Sequence, residues 1–470
     1  MTPSKHWSYF VGVFLTLSSS LLQVESKGFH GIEGNFCRNR QPSECCDDRM
    51  DSCEVPIQGT FCYCDEFCMV SEDRTDDDCC PDFYEVCLGR KVNHSLPAVG
   101  PTRLYLNDPP EGRPKAACDK NGVVVPHGES LLVNCNECHC DDGELKCQED
   151  LCMTDEFIVS AINEAPRKYG WTAAMHSEFW GRKAQDGLRL RTGTFSPQDK
   201  SHEMHPIRLD PDVSKIPVSF DARKKVEWAG RVADVCDQGW CGSSWAFSTL
   251  GVAQDRLSIL AKGLERMELS AQNLLSCAEL GQKGCEGGHI DRAWNYLRAH
   301  GIVREECYKY ESGNSGKVPK CVIRRNDLSQ LTCQAKDRYR FEPAYRIAST
   351  EEDIQWEIMH NGPVQALMTV HSDLFMYNSG IYSYSGLTSD RVKGGDTATH
   401  SVRIIGWGSS RMMGSNPIKY WLVANSWGSQ WGEGGYFRIK RGTNECGIES
   451  FIITVRAKLA NFMYGRQKDY

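Results

Sequence analysis

Residues 238–247 read QGWCGSSWAF and carry the strongest indication of the fold. The run places Gln238 and Cys241 shortly before two serines, of which the second is Ser244. Taken alone, these residues have an ordinary explanation, because a glutamine ahead of a helix is a common polar neighbour of the cap. The run becomes informative together with other motifs, all of which lie further along the chain.

Four further motifs follow in order. They are GCEGGHIDRAWNYL at 284–297, NGPVQALMTVHSDLFMYNSGIY at 361–382, THSVRIIGWG at 399–408 and YWLVANSWGSQWGEGGYFRI at 420–439. Each is weak by itself, since a lone histidine before a strand is more often a satisfied surface residue and N-S-W-G also suits a turn. Together with residues 238–247 they resemble the papain-type cysteine proteases, and cathepsin B in particular. The family signature C-G-[SA]-C-[WY] is matched at 241–245 except at Ser244, which stands in place of the nucleophilic cysteine.

The resemblance implies an α+β, papain-like fold of two lobes. A mostly helical left lobe begins with the helix that carries Ser244, and a right lobe contains a β-barrel. The groove between the lobes is the catalytic cleft of the family. In this chain small disulfide-rich modules precede the two lobes.

The resemblance also assigns roles within the groove. Gln238, six residues before Ser244, matches the glutamine whose amide forms the oxyanion hole with the N–H of the nucleophile. His400, 156 residues past Ser244, matches the catalytic base. Asn425 matches the residue that orients the imidazole. The tryptophans expected to shield that bond are Trp427 and Trp431.

A serine at position 244 changes the chemistry of this groove. In a cysteine protease, the helix dipole and an adjacent imidazolium lower the thiol pKa from about 8.5 to ~3–4, so the resting enzyme holds an ion pair. A hydroxyl is far too weak an acid for this, and has to lose its proton in the transition state, as in serine proteases. We therefore predict a catalytically inactive domain, in which Gln238 is a vestige of the oxyanion hole.

Three departures from cathepsin B agree with this prediction. Residues 307–333 correspond to the occluding loop but contain no histidine, whereas the family uses a histidine pair there. The glycine pair that ends at Gly395 is displaced by four residues from His400. Trp240 is bulkier than the serine usual beside the oxyanion glutamine, and we expect it to narrow the cleft.

The residues before the two lobes match a cathepsin B precursor. Residues 157–195 resemble its propeptide, and IPVSFDARKKVEW at 216–228 resembles the start of its mature chain. Taken alone, the apolar residues of the first stretch also suit the core of a small helical domain; they are Ile158, Ile162, Tyr169 and Trp171. We assign 153–212 to a propeptide-like segment, 213–456 to the papain-like domain and 457–470 to a tail.

The 24 cysteines fall into three groups, of ten (37–87), six (118–152) and eight (236–446). In an exported protein such groups predict disulfide frameworks for domains that bury little apolar surface. Structural zinc is the competing interpretation; we expect neither a metal nor another cofactor. The resemblance to cathepsin B implies the pairs Cys241–Cys285, Cys277–Cys321 and Cys307–Cys333. It leaves Cys236 and Cys446 unassigned.

The first group lies in residues 37–90 and resembles a somatomedin B module. The cysteines that carry the resemblance are Cys62, Cys64, Cys68, Cys79, Cys80 and Cys87, and two extra cysteines leave the pairing open. A linker at 91–117 contains the glycosylation sequon at Asn93. The second group, 118–152, resembles a von Willebrand factor type C module through C-x2-C-x-C at 135–140.

The chain starts with the layout of a secretory signal, which we place at 1–26. Lys5 precedes an apolar stretch from Tyr9 to Leu17, followed by small and polar residues. An uncleaved anchor is the alternative, but the stretch is short for a bilayer and no later segment is apolar enough. The net charge of −8, without a cluster of Lys and Arg, argues against a nucleic-acid partner.

The whole architecture resembles the tubulointerstitial nephritis antigen family, which are secreted cathepsin B-like proteins with cysteine-rich N-terminal modules. The resemblance implies an extracellular-matrix or basement-membrane binding protein, with laminin, type IV collagen and integrin-type receptors as partners. Two other functions stay open: a weak hydrolase that uses Ser244, His400 and Asn425, and a decoy that holds peptides without cutting them.

Overall fold

The computed structural model describes residues 35–39, 45–46, 53–57, 60–64, 79–87, 115–120, 122–197, 204–261, 267–323, 338–387, 397–410 and 417–457. The chain divides into two compact units, residues 1–111 and residues 112–470, which are described separately. The predicted signal peptide, the sequon at Asn93 and nearly all of the C-terminal tail lie outside the described residues.

The first unit contains a hairpin of β1 (Glu54–Ile57) and β2 (Thr60–Tyr63), and a helical turn α1 (Phe83–Val86). Its disulfides are Cys37–Cys64, Cys45–Cys87, Cys46–Cys53 and Cys62–Cys80. Cys79 is also disulfide-bonded, and Cys68 lies outside the described residues. The buried cluster consists mainly of half-cystines, as expected of a module too small for a large apolar core.

The second unit begins with the module at 118–152. Its strands are β3 (Cys118–Lys120), β4 (Val123–Val125), β5 (Ser130–Val133), β6 (Asn136–Asp141) and β7 (Glu144–Cys147). Three disulfides cross-link the module: Cys118–Cys140, Cys135–Cys152 and Cys138–Cys147. The amide of Asn134 donates to the Thr154 carbonyl at 2.6 Å and accepts from the Gly181 N–H at 2.9 Å, so it holds the module to the segment that follows.

The propeptide-like segment is a structural part of the two-lobed domain. Its elements are α2 (Glu156–Glu164), α3 (Pro166–Tyr169), β8 (Trp171–Ala173) and α4 (Ala184–Leu190). The Asp155 side chain caps α2 by accepting from the Ile158 N–H. Ile158, Ile162 and Trp171 are buried in the same apolar cluster as the right lobe. They therefore do not form a separate helical domain.

The left lobe is helical, as predicted. Its helices are α5 (Ser244–Leu260), α6 (Ala271–Cys277), α7 (Ile290–Ala299) and the short α8 (Ser312–Ser315). They pack around their own apolar cluster, which includes Trp245, Leu257 and Trp294. Disulfides Cys241–Cys285 and Cys277–Cys321 brace this lobe and are two of the pairs expected from the resemblance.

The right lobe is built on a nine-stranded sheet. With β8 and β12 (Tyr377–Tyr382), its strands are β9 (Phe220–Asp221), β10 (Tyr345–Ile347), β11 (Val364–His371), β13 (Thr397–Ser410), β14 (Ile418–Ala424), β15 (Tyr436–Lys440) and β16 (Ile452–Thr454). The order is β10-β16-β11-β13-β14-β15-β12-β8, and β9 pairs with β13. The β12–β15 pair is parallel and the others are antiparallel. Helix α9 (Glu351–Asn361) packs against the sheet.

Short 3-10 turns join these elements, at Cys37–Asn39, Ser177–Phe179, Val213–Lys215, Ala222–Lys224, Val226–Trp228, Ser372–Met376 and Glu445–Gly447. Within the described ranges, no helix combines the length and apolarity that crossing a membrane requires. The fold predicted from the motifs is confirmed: a helical lobe and a sheet lobe face each other, with β13 and β14 bringing residues 400 and 425 to the groove.

Candidate active site

Ser244 is the first residue of α5, at the positive end of the helix dipole. The residue is completely buried. Its hydroxyl lies 2.8 Å from the Thr194 hydroxyl, which belongs to the propeptide-like segment. The position therefore matches that of the family's nucleophile, but the side chain contacts the protein's own chain.

His400 and Asn425 lie on the opposite wall of the groove. The Nε2 of His400 donates to the Asn425 Oδ1 at 2.8 Å, because that oxygen also accepts from the Ser426 N–H and is thereby fixed as an acceptor. Trp427 and Trp431 are completely buried, and the Trp427 ring centroid lies 5.3 Å from that of His400. The structure thus brings together the predicted base, the amide predicted to orient it and the predicted shield.

The imidazole of His400 is neutral at neutral pH. Burial lowers its pKa from 6.5 to about 4, although the hydrogen bond to Asn425 acts in the opposite direction. Within the described part of the chain, neither His400 Nδ1 nor Asn425 Nδ2 has a hydrogen-bond partner. The ring atom that would accept a proton from a nucleophile therefore receives none from Ser244.

The oxyanion hole is occupied by a carbonyl of the same chain. Gln238 Nε2 and the Ser244 N–H both donate to the Thr192 oxygen, at 3.1 and 3.2 Å. The Gln238 Oε1 accepts from the Ser426 hydroxyl at 2.6 Å, which fixes the orientation of the amide. The two donors that would stabilise a tetrahedral intermediate are thus used by a backbone oxygen of the segment.

The rest of the segment follows the groove and binds both of its walls. The Trp427 indole N–H donates to the Arg191 carbonyl, and the Thr194 N–H donates to the Thr399 carbonyl at 3.2 Å. On the left wall, the Gly288 N–H donates to the Gly193 carbonyl at 2.9 Å, and the Gly288 carbonyl accepts from the Phe195 N–H at 2.8 Å. Residues 191–195 therefore occupy the cleft as a bound peptide would.

Gly193 makes this close passage possible. Its φ is +105°, which favours glycine, and a Cβ at this position would lie 2.0 Å from the Gly242 carbonyl oxygen. The backbone of the segment thus runs directly against the loop that precedes Ser244.

Arg191 of the segment and Trp240 of the papain-like domain connect the two parts of the chain. The Arg191 side chain is 2% exposed and donates to the Asp237 carboxylate at 2.9 Å. Glu178 lies 3.6 Å from the same guanidinium, and burial raises the pKa of its carboxyl group. Trp240 was expected to narrow the cleft. Its ring packs beneath the Arg182 guanidinium, at 4.7 Å from the ring centroid, and beside Phe179. The tryptophan contacts the segment that fills the cleft.

The other predicted residues of the two lobes have separate outcomes. Cys307 is disulfide-bonded, while Cys333 and Gly395 lie outside the described residues. Cys236 and Cys446 are free thiols. A cluster with metal-like spacing, Cys37, Cys64 and Cys80, consists of half-cystines, so its sulfurs are already committed to disulfides.

The sequence motifs did not identify the residues that fill the groove, Thr192, Gly193 and Thr194. Thr192 and Gly193 act through their backbone carbonyls, for which side-chain patterns give no signal. The third acts through a hydroxyl in the unremarkable run RTGTF at 191–195.

Comparison with known proteins agrees with this geometry. Residues 216–456 match the family described as papain family cysteine protease. The chain is 38% identical to "Tubulointerstitial nephritis antigen-like" of Mus musculus, covering 96% of this chain and 97% of the relative. It is 37% identical to "Tubulointerstitial nephritis antigen" of Homo sapiens, covering 92% and 88%.

Among solved structures, the chain is similar to procathepsin B S9 from Trypanosoma congolense. The TM-score is 0.55 and the identity 31%, over 65% of this chain and 99% of that chain. The matching structure is a precursor, in agreement with the position of the propeptide-like segment. The chain therefore belongs to the tubulointerstitial nephritis antigen family, with a papain-family domain at residues 216–456.

Proposed function

We propose that the protein is secreted, has no peptidase activity and acts outside the cell by binding matrix components. The observation that carries this proposal is the filled oxyanion hole: Gln238 and the Ser244 N–H donate to Thr192 of the same chain. A substrate carbonyl needs those two donors. The hydroxyl of Ser244 adds a second obstacle, because it cannot form the thiolate on which the family's mechanism depends.

Secretion is supported by the density of disulfides, which persist in oxidising compartments. The two modules contain seven of the assigned disulfides, and such small cross-linked domains commonly serve as binding units. By resemblance to the family, we propose basement-membrane proteins such as laminin and type IV collagen as partners, together with integrin-type receptors. The papain-like domain would then act through its surface.

A weak hydrolase is the rival function, and the preserved His400–Asn425 hydrogen bond favours it. Peptide hydrolysis by the native chain, Ser244→Ala and Ser244→Cys separates the two functions. Each form is assayed intact and after limited proteolysis before Ile216, and size-exclusion chromatography checks that the residues before the cut have dissociated. We expect the native and alanine forms to be equally inactive, and the cysteine form to gain activity once the segment is removed. Hydrolysis by the native chain that disappears in Ser244→Ala would overturn the proposal of inactivity.

Binding is tested separately with the full-length native chain on surfaces coated with laminin, type IV collagen or serum albumin. We expect saturable retention on at least one matrix protein and none on albumin. Recovery of the chain wholly as a free, non-adherent protein would contradict the matrix-binding proposal. It would leave the result of the hydrolysis assay unaffected.

A further inference from the structure

A chain of buried hydroxyl groups connects the segment in the cleft to the core of the domain. The Ser244 hydroxyl lies 2.8 Å from that of Thr194, which lies 2.7 Å from that of Ser401. The Ser401 hydroxyl lies 2.8 Å from that of Ser248. All four side chains are at most 6% exposed, so these contacts form without competition from bulk water.

The far end of this chain has a fixed direction. Trp294 donates to the Gln365 Oε1 at 2.7 Å, so the amide nitrogen of Gln365 must be the atom that faces Ser248, to which it donates at 2.7 Å. The Ser248 hydroxyl donates its own proton to the Ser244 carbonyl at 2.7 Å, since a carbonyl can only accept. Because the Ser248 hydroxyl has no second proton, it must be the acceptor in its contact with Ser401.

The direction then propagates back to the active site. Because each hydroxyl has one proton, Ser401 donates to Ser248, Thr194 donates to Ser401, and Ser244 is left to donate to Thr194. The proton that a general base would remove from Ser244 is thus directed at the segment. This agrees with the His400 Nδ1, which has no partner in the described part of the chain.

We propose that Ser244 is a positioning residue whose hydroxyl holds the segment in the cleft by donating a hydrogen bond to Thr194. The replacement of the nucleophile thereby serves retention of the segment as well as loss of catalysis. This inference deepens the proposed function and rests on its statement that the cleft is closed.

A cysteine would perform this role poorly. Sulfur is a weak hydrogen-bond donor, and a thiol at the 2.8 Å spacing of the two hydroxyls would be too close to the Thr194 oxygen. An alanine would leave the Thr194 oxygen without its donor. The structure thus accounts for a hydroxyl at position 244 on grounds that do not involve chemistry on a substrate.

Amide hydrogen exchange of the full-length chain tests the role of Ser244. The readout is exchange at the Thr194 and Ser244 amides, both of which bond across the boundary between segment and groove. The variants are Ser244→Ala and the isosteric Thr194→Val. The matched controls are Ser243→Ala and Thr172→Val, whose hydroxyls contact the Cys241 carbonyl and the Ser379 hydroxyl, outside the chain of hydroxyls.

We expect exchange at these amides to be about fivefold to tenfold faster in Ser244→Ala and in Thr194→Val than in the controls, as for the loss of one buried hydrogen bond. Thr194→Val also removes the bond from Thr194 to Ser401, so we expect its effect at the upper end of this range. The double variant is expected to be no faster than Thr194→Val alone, because that variant already lacks the bond between Ser244 and Thr194. Equal rates in test and control variants, or strictly additive effects in the double variant, would overturn the inference. A catalytically active native chain with the predicted exchange pattern would overturn the proposed function alone.

Discussion

The two walls of the groove differ in how completely their polar groups are satisfied. On the left wall, the Gln238 amide and the Ser244 hydroxyl both bond to the segment, and Gln238 also accepts from Ser426. The backbone N–H of Ser244 donates to the segment as well. On the right wall, His400 and Asn425 bond to each other, and each keeps one buried nitrogen without a partner in the described structure. The wall that would attack a substrate has therefore become a binding surface for the segment.

Both walls bind the segment, but only on the left wall do the predicted catalytic residues themselves make these bonds. Removing a polar group from the left wall would break a contact to the segment. On the right wall, His400 is buried in its neutral form, so the folded protein loses stability when this histidine has to take up a proton in acid.

Replacing Gly193 by alanine should have the largest effect. The added Cβ would lie 2.0 Å from the Gly242 oxygen at a φ of +105°, so the segment must leave the left wall or distort it. We expect about 2–5 kcal/mol of destabilisation, from overpacking together with left-handed backbone strain. Chemical denaturation and proteolytic susceptibility of residues 190–197 measure this.

The control for this variant is Gly181→Ala. That glycine also belongs to the segment and has a positive φ, of +77°, but a Cβ there meets nothing within 4 Å. It should cost only the backbone strain, about 1–2 kcal/mol. Equal losses in the two variants would show that the close passage of Gly193 is unimportant.

His400 should make the protein less stable in acid. Its pKa is about 4 in the folded chain and 6.5 as the ordinary value, so between these limits the unfolded chain binds a proton that the native chain does not. The free energy of unfolding therefore falls as pH decreases from 6.5 to 4, by at most about 3 kcal/mol from this group.

The variant His400→Gln tests this contribution, because it removes the titrating group. Denaturation measured from pH 4 to 8 should show a smaller loss of stability in acid for this variant than for the native chain. Ser243→Ala, a change at the same site without a titratable group, should keep the native pH dependence. A dependence unaffected by His400→Gln would contradict the burial of a neutral imidazole.

The smallest effect is expected at the edge of the left wall. Arg189 of the segment lies 3.3 Å from Glu286, but both side chains are more than half exposed. Arg189→Ala should therefore change the free energy of unfolding by less than about 0.5 kcal/mol. The free energy of unfolding is measured by the same denaturation. A loss above about 1 kcal/mol would contradict the expectation that this exposed ion pair contributes little to holding the segment.

The resemblance to papain-type proteases predicted the fold and pointed to Gln238, Ser244, His400 and Asn425, because each lies in a motif that the side chains make recognisable. The occupant of the oxyanion hole was not predictable in this way, since every residue has a carbonyl. The direction of the hydroxyl chain depends on the bond from the Ser248 hydroxyl to the Ser244 carbonyl, and the chain becomes visible only when Ser401 of β13 is placed beside α5.

The N-terminal modules show a different limit. The cysteine spacing indicated a disulfide framework, but ten cysteines in 37–87 allow many pairings and the sequence does not rank them. The pairing Cys62–Cys80 depends on how the β1–β2 hairpin meets the turn at 79–87, which is tertiary information.

The pairing of β8 with β12 has a consequence for maturation. The segment contributes an edge strand to the sheet, the Trp171 indole N–H donates to the Ser383 carbonyl at 3.0 Å, and Trp171 is 1% exposed. A single peptide-bond cut after Pro197 would therefore yield two polypeptides that migrate separately on a denaturing gel and travel as one particle in solution. Detecting a shortened chain would say nothing about whether the groove had opened.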